Sequence, residues 1–231
     1  MKIEKEILIA AFFLIVAFFL FELTNIDIFI QSYFYDNLAD EWLLSHQKGS
    51  LSDIFFYSGI KKVIIIFGIC IFFLYLYSFR ESAIKLREYR NGLLLVWLNM
   101  ALIPAIIGSL KVLTNVPCPC DSTYFGGNYP YIRVLDLMPQ EILKKFQCYP
   151  AGHASGGFAL MSLFFLFKTE KNKIIALIFA LVIGWSMGIY KMLMGHHYLS
   201  HTVITMILSW LLILIIYKII KNMANCNITF K

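Results

Sequence analysis

Six basic side chains stand where apolar stretches of the sequence end or begin, and their types suit work on a phosphate group. They are Lys111, His153, Lys191, His196, His197 and His201. Imidazoles titrate near neutral pH, so they can attack phosphorus or carry a proton, and ammonium groups can hold phosphate oxygens. Ionisable groups at membrane depth are costly to place there, which makes these residues candidates for a functional site.

The segment YPAGHASGG at 149–157 predicts a phosphate cradle. A turn at Pro150 and Gly152 would deliver His153 into the first turn of a helix. Free amide N–H groups and the positive end of the helix dipole attract anions at such a helix start. Ser155 would add a hydroxyl donor.

The second histidine cluster follows a helical spacing. His197 and His201 are four residues apart, so on a helix they would share a face and touch. His196 would point roughly 100° away from His197. We therefore expect His196 to be structural and the other two to act together.

The elements that position these groups are transmembrane helices. The chain has 231 residues and is 60% hydrophobic, well above the roughly 45–50% of soluble domains. Most of its uncharged runs approach the roughly 20 residues that a membrane-crossing helix needs. The runs are 7–21, 63–79, 91–110, 154–167, 174–190 and 202–217. The sequence predicts an all-α membrane protein with six transmembrane helices in one domain, 1–231.

The distribution of Lys and Arg predicts the orientation. Six spans place both termini on one side, and 12 of the 20 basic residues fall on that side. Basic flanks mark the cytoplasmic face, so both termini are predicted to be cytoplasmic and the long loops, about 24–60 and 111–153, external. These flanks explain the net charge of +6 without a nucleic-acid partner. Counting spans also brings all six candidate residues to the external face.

Three of the five cysteines, Cys118, Cys120 and Cys148, fall in the second external loop. An oxidising compartment would allow Cys148 to pair with either Cys118 or Cys120, and one thiol would be left over. The sequence leaves the choice of partner open.

The order and spacing of the candidate residues resemble the three-part signature of the type 2 phosphatidic acid phosphatase (PAP2) superfamily. Lys111 is followed after six residues by Cys118-Pro119, then comes Pro-Ala-Gly-His at 150–153, and Lys191 is followed by His197 and His201. The match runs from Lys111 to His201. The resemblance implies a PAP2-type helical core.

The resemblance also implies roles for these residues. His197 would be the nucleophile that forms a phosphohistidine, and His153 would protonate the leaving oxygen. His201 would orient His197, while Lys111 and the backbone around Gly152 would hold the phosphoryl oxygens. Such a mechanism requires no metal and no cofactor.

Four signature positions depart from the family pattern. Cys118 stands where the family has Arg, Ala151 where it has Ser, Lys191 where it has Arg, and His201 where it has Asp. Lys keeps the charge but loses the bidentate fork of Arg. Arg133, in the same external loop, is the candidate to replace the cation lost at Cys118.

The resemblance and the interfacial position of the site imply a lipid phosphatase. We expect it to act on lipid A at the periplasmic face of a bacterial inner membrane. The alternatives are an undecaprenyl diphosphate or phosphatidylglycerol phosphate phosphatase, a lipid phosphotransferase, and a non-catalytic lipid-phosphate binder. A different class, a metal-handling membrane protein, would use His153, His197 and His201 with a loop cysteine.

Overall fold

The computed structural model describes residues 3–44, 55 and 58–229, with side chains to 224. Part of the first predicted external loop, 45–54, lies outside the described residues. Five helices of the described chain are long and apolar enough to cross a membrane. The helices, in chain order, are α1 (Ile3–Leu23), α2 (Ile26–Gln31), α3 (Gly59–Tyr77), α4 (Ile84–Arg87), α5 (Arg90–Thr114), α6 (Gly152–Ala159), α7 (Glu170–Leu193) and α8 (Leu199–Thr229).

The predicted fourth span, 154–167, folds differently from the other five apolar runs. It forms the short helix α6, continued directly by the 3₁₀ helix Leu160–Phe165. A 3₁₀ helix rises about 2 Å per residue, against about 1.5 Å for an α-helix, so the stretch reaches further than its length suggests. The five long helices therefore do not include this run.

The core lies between α5, α6, α7 and α8. Glycines allow α6 and α7 to approach closely: a Cβ atom on Gly157 would lie 2.6 Å from the Cα of Gly184. Small residues at helix interfaces are typical of membrane bundles, where close backbone packing replaces the hydrophobic driving force. Around this core, α1 packs on α8 and α3 packs on α5.

A cap of loop segments covers the end of the bundle where α8 begins. In the first loop, the strands β1 (Tyr35–Asp36) and β2 (Glu41–Trp42) pair antiparallel, with Tyr35 opposite Trp42. Tyr35, Phe125 and Tyr198 form a buried aromatic cluster, against which Trp42 packs. The cap therefore joins the two long loops, which the sequence predicts to be external, to the residues next to His197.

Candidate functional site

His197 and His201 lie side by side at the start of α8. His197 is in the turn before the helix, His201 is in its first turn, and their Nδ1 atoms are 3.4 Å apart. One Nδ1 must donate and the other accept. If His197 carries its proton on Nδ1, its Nε2 keeps a lone pair, and within the described chain this atom has no hydrogen-bond partner. The geometry therefore suits a nucleophile at Nε2.

The turn that holds His197 is fixed from three other parts of the chain. Gly195 adopts a left-handed backbone conformation, with φ of 68°, and the indole of Trp42 packs where its side chain would be. Gln31 Nε2 donates to the carbonyl of Met192 at 2.8 Å, and the Cys120 amide donates to the carbonyl of Gly195 at 2.9 Å. These contacts restrict where the imidazole of His197 can lie.

Asp27 holds the start of α8, and the sequence offered no motif that marked it. Its carboxylate is buried and accepts a hydrogen bond from the Ser200 amide at 2.8 Å. Burial raises the pKa of Asp27 to about 6. The favourable position of an acidic group at a helix N-terminus accounts for the contact.

A disulfide joins Cys118 to Cys148, and Cys120 is a free cysteine. Of the two pairings that the sequence left open, the structure contains this one. The sulfur of Cys148 lies 3.7 Å from Nδ1 of His197. The family's Arg position is therefore occupied by half of a disulfide that contacts the candidate nucleophile.

Lys111 and His153 meet at the start of α6. A Cβ atom on Gly152 would lie 3.1 Å from Cδ and 3.4 Å from Nζ of Lys111, so the lysine lies directly over the Gly152 backbone. The rings of His153 and His197 have centroids 6.0 Å apart. Lys191 is buried, and its Nζ lies 3.4 Å from Nδ1 of His196.

Two predicted phosphate ligands are directed elsewhere. Arg133 donates to the carbonyl of Thr24 at 3.1 Å and to Oδ1 of Asn25 at 2.7 Å, so it holds the turn between α1 and α2. The Ser155 hydroxyl donates to the carbonyl of Gly152 at 2.6 Å, inside its own helix. The structure therefore does not bring either side chain to Lys111 as a phosphate donor.

A cavity of about 660 Å³ opens beside Lys111 and His153. Its polar end is lined by Lys61, Lys111, Gln147 and His153, and its remaining walls are mostly apolar. Lys61, near the start of α3, is a site residue that the sequence patterns did not predict. A signal was present, because Lys61 precedes an apolar run on the predicted external side, where the orientation rule does not call for lysines.

The donor atoms of Cys148, His197 and His201 all lie within 4.8 Å of one another. A metal would need the thiolate of Cys148, but this sulfur is bonded to Cys118. Disulfide-bonded Cys148 therefore does not fit the metal-handling alternative.

Burial lowers the pKa of His197 well below 6.5, which favours the neutral form of its imidazole.

The sequence model of the PAP2 superfamily matches residues 92–224, which contain all three signature segments. Neither the curated proteins nor the solved structures contain a significant match to this chain.

Proposed function

Because the chain belongs to the PAP2 superfamily, whose members are phosphatases, we propose that it removes phosphate from a membrane lipid through a phosphohistidine at His197. One observation carries the lipid assignment: the polar end of the cavity, with the ammonium groups of Lys61 and Lys111, leads into a long apolar wall. A phosphate at an interface, joined to a hydrocarbon tail, matches this pattern of charge. Lipid A is the substrate that we propose first.

In the proposed reaction, Nε2 of His197 attacks phosphorus and His153 gives a proton to the leaving lipid oxygen. Water then attacks the phosphohistidine, and the proton released from that water returns to His153. Lys111 and Lys61 balance the charge on the phosphoryl oxygens. His201 acts as a positioning residue, since a neutral imidazole that accepts from Nδ1–H of His197 fixes its tautomer.

We also propose six membrane crossings, with α6 and its 3₁₀ extension as the fourth. This segment lies beside Lys111 at one end and beside Gly92 at the other: a Cβ atom on Gly92 would lie 2.9 Å from Leu166 Cδ1. The 20 residues from Gly92 to Lys111 span about 28 Å of helix, close to the hydrocarbon thickness. The segment therefore lies beside α5 over a length close to the thickness of the hydrocarbon core.

The disulfide and the basic flanks support the proposed orientation. Cys118–Cys148 lies at the site end, as expected for an oxidising compartment outside the cytoplasm. At the other end, Lys218 of α8 lies 3.5 Å from Glu4 of α1, which puts both terminal helices together there. We propose a multi-pass protein of a bacterial inner membrane, with cytoplasmic termini and a periplasmic site.

A lipid-phosphate binder without turnover is the second candidate. His197 is only 2% exposed, and it does not contribute to the described lining of the cavity that His153 lines. Cys118 in place of the family's Arg also removes a cation that would stabilise the transferring phosphoryl group. A binder would hold the phosphorylated lipid at Lys61 and Lys111 without forming a phosphohistidine.

Phosphate release by the purified protein tests the proposal. The substrates are lipid A, undecaprenyl diphosphate, phosphatidylglycerol phosphate and phosphatidic acid, in detergent and without added metal. Release from one of them establishes the hydrolase and names its substrate. Release only when an acceptor lipid is added favours the phosphotransferase, and binding without release favours the binder.

We expect Lys61→Gln to raise KM about tenfold or more, because one of the cations that face the phosphate is lost; a hydrogen bond to a charged group contributes about 1.5–3 kcal/mol. Lys62→Gln is the matched control, since Lys62 is the next residue and does not contribute to the described cavity lining. Equal KM values for the two variants would remove Lys61 from the site.

The pH profile should reflect the neutral form of His197. Its pKa is lowered by burial, so the nucleophile stays unprotonated until the pH falls through that lowered value. We expect the acidic limb of kcat/KM to lie below pH 6.5 in the wild-type protein. An acidic limb at or above pH 6.5, in a profile of kcat/KM from pH 4 to 8, would contradict the lowered pKa of His197.

A further inference from the structure

The cavity beside the site is bounded by one face of α3 and one face of α5. On α3 the lining residues recur at helical spacing, as Lys61, Ile65, Ile69 and Phe72. On α5 they recur in the same way, as Trp97, Ala101, Pro104, Gly108 and Lys111. Both helices therefore present a continuous stripe to the cavity, with a lysine at the site end.

The far end of the cavity is formed by Phe72 and Trp97. Their ring centroids are 4.9 Å apart, with an angle of 32° between the planes. Phe72 lies 11 residues beyond Lys61, and Trp97 lies 14 residues before Lys111. These separations correspond to about 16 and about 21 Å along the two helices. The apolar part of the cavity is therefore elongated along the two helices, and we call it the channel.

Gly108 keeps the channel open one turn below Lys111. Among the described residues, nothing would lie within 4 Å of a Cβ atom placed on Gly108. A side chain at this position would therefore enter the channel instead of displacing protein atoms. On the opposite wall, a Cβ atom on Gly156 would meet Ile64 at 3.8 Å, which is an ordinary contact.

We propose that this channel holds one aliphatic chain of the phosphorylated substrate, with the Phe72–Trp97 pair as the end stop that selects chain length. The proposal rests on the proposed function and specifies its substrate as a phosphate ester of a chain that extends toward this pair. The positive charges at the mouth of the channel favour that occupant. Lys61 and Lys111 at its mouth match a phosphate, whereas a lipid without phosphate would bring no negative charge to these two ammonium groups.

A series of monoalkyl phosphates tests the end stop. With the protein in amphipol and each substrate below its micelle-forming concentration, kcat/KM should rise by up to about fourfold for each added methylene. The increase should stop at the length where the chain reaches Phe72 and Trp97. A profile that is flat from the shortest chain onward would overturn the proposal.

Two variants should move that limit in opposite directions. Gly108→Leu fills the channel near its mouth, so the gain should stop at shorter chains while the shortest substrate is still turned over. Trp97→Ala removes half of the end stop, so the gain should continue to longer chains. Ser109→Leu is the control for Gly108→Leu, because Ser109 is exposed and is the next residue of α5. Unchanged limits in both variants would overturn the proposal.

Photo-crosslinking separates the chain site from the hydrolase. The probe is a non-hydrolysable alkyl phosphonate with a terminal diazirine, and the labelled peptides are identified by mass spectrometry. Labelling at Phe72 or Trp97 without turnover of any phosphate supports the channel and contradicts the hydrolase. Turnover with labelling confined to other helices contradicts the channel. Competition by the phosphate-free alcohol of equal length would also overturn the proposal, since the channel would then hold ordinary bilayer lipid.

Discussion

Replacing His197 by alanine will lower the rate of phosphate release by about 10⁴-fold or more, as expected when a catalytic nucleophile is removed. The structure supports a severe effect because Nε2 of this imidazole has no other hydrogen-bond partner in the described chain, while Nδ1 faces His201 at 3.4 Å. The wild-type protein, quenched during turnover, should carry an acid-labile phosphohistidine. The His197→Ala protein should carry none.

His153→Ala provides the comparison that assigns the two roles. A lost general acid costs about 10²–10⁴-fold when the leaving group needs a proton. It should cost little with p-nitrophenyl phosphate, whose leaving group departs without one. His197→Ala should lose activity on both substrates. A His153→Ala protein that is equally impaired on both would show that His153 binds or positions the phosphate instead.

The second large effect concerns the disulfide. Cys148→Ser should lower the free energy of unfolding by about 3–4 kcal/mol, the value that chain entropy gives for a loop of this size, since 30 residues separate Cys118 from Cys148. Activity should fall as well, because the Cys148 sulfur lies 3.7 Å from Nδ1 of His197. Thermal unfolding in detergent and turnover measure the two losses.

Cys120→Ser is the matched control for the disulfide prediction. Cys120 is a free thiol two residues from Cys118, so its replacement should leave the unfolding midpoint close to that of the wild type. A reducing thiol should destabilise the wild-type and Cys120→Ser proteins but not Cys148→Ser. Recovery of a Cys120–Cys148 peptide from the unreduced wild-type protein would contradict the pairing.

Sequence patterns predicted the PAP2 family and the candidate site residues at the helix ends. The order of Lys111, His153 and His197 along successive predicted spans determines which end of the bundle they share. Lys61 and Asp27 were not predicted. Each lies near the site because its helix packs there, and neither belongs to a sequence motif.

The contacts of Arg133 and the helix type of the run 154–167 could not be predicted from the sequence for a different reason. Arg133 was placed near the phosphate because it shares a loop with Cys118, but loop membership does not determine the side on which a side chain lies. Its hydrogen bonds to Thr24 and Asn25 depend on where α1 ends. The hydropathy of the run 154–167 predicted a membrane span, but nothing in its sequence indicated the change from α-helix to 3₁₀ helix.

The contacts between the first and last helices impose an order on biosynthesis. α1 packs on α8, and Asp27 binds the start of α8 through Ser200. At about 5–20 residues per second, the ribosome needs about 10–35 seconds to travel from the end of α1 to the start of α8. During that interval the nascent α1 must rest against lipid or a chaperone. The turn that holds His197 can therefore take its folded form only after α8 has been synthesised, and a chain that terminates before α8 cannot form it.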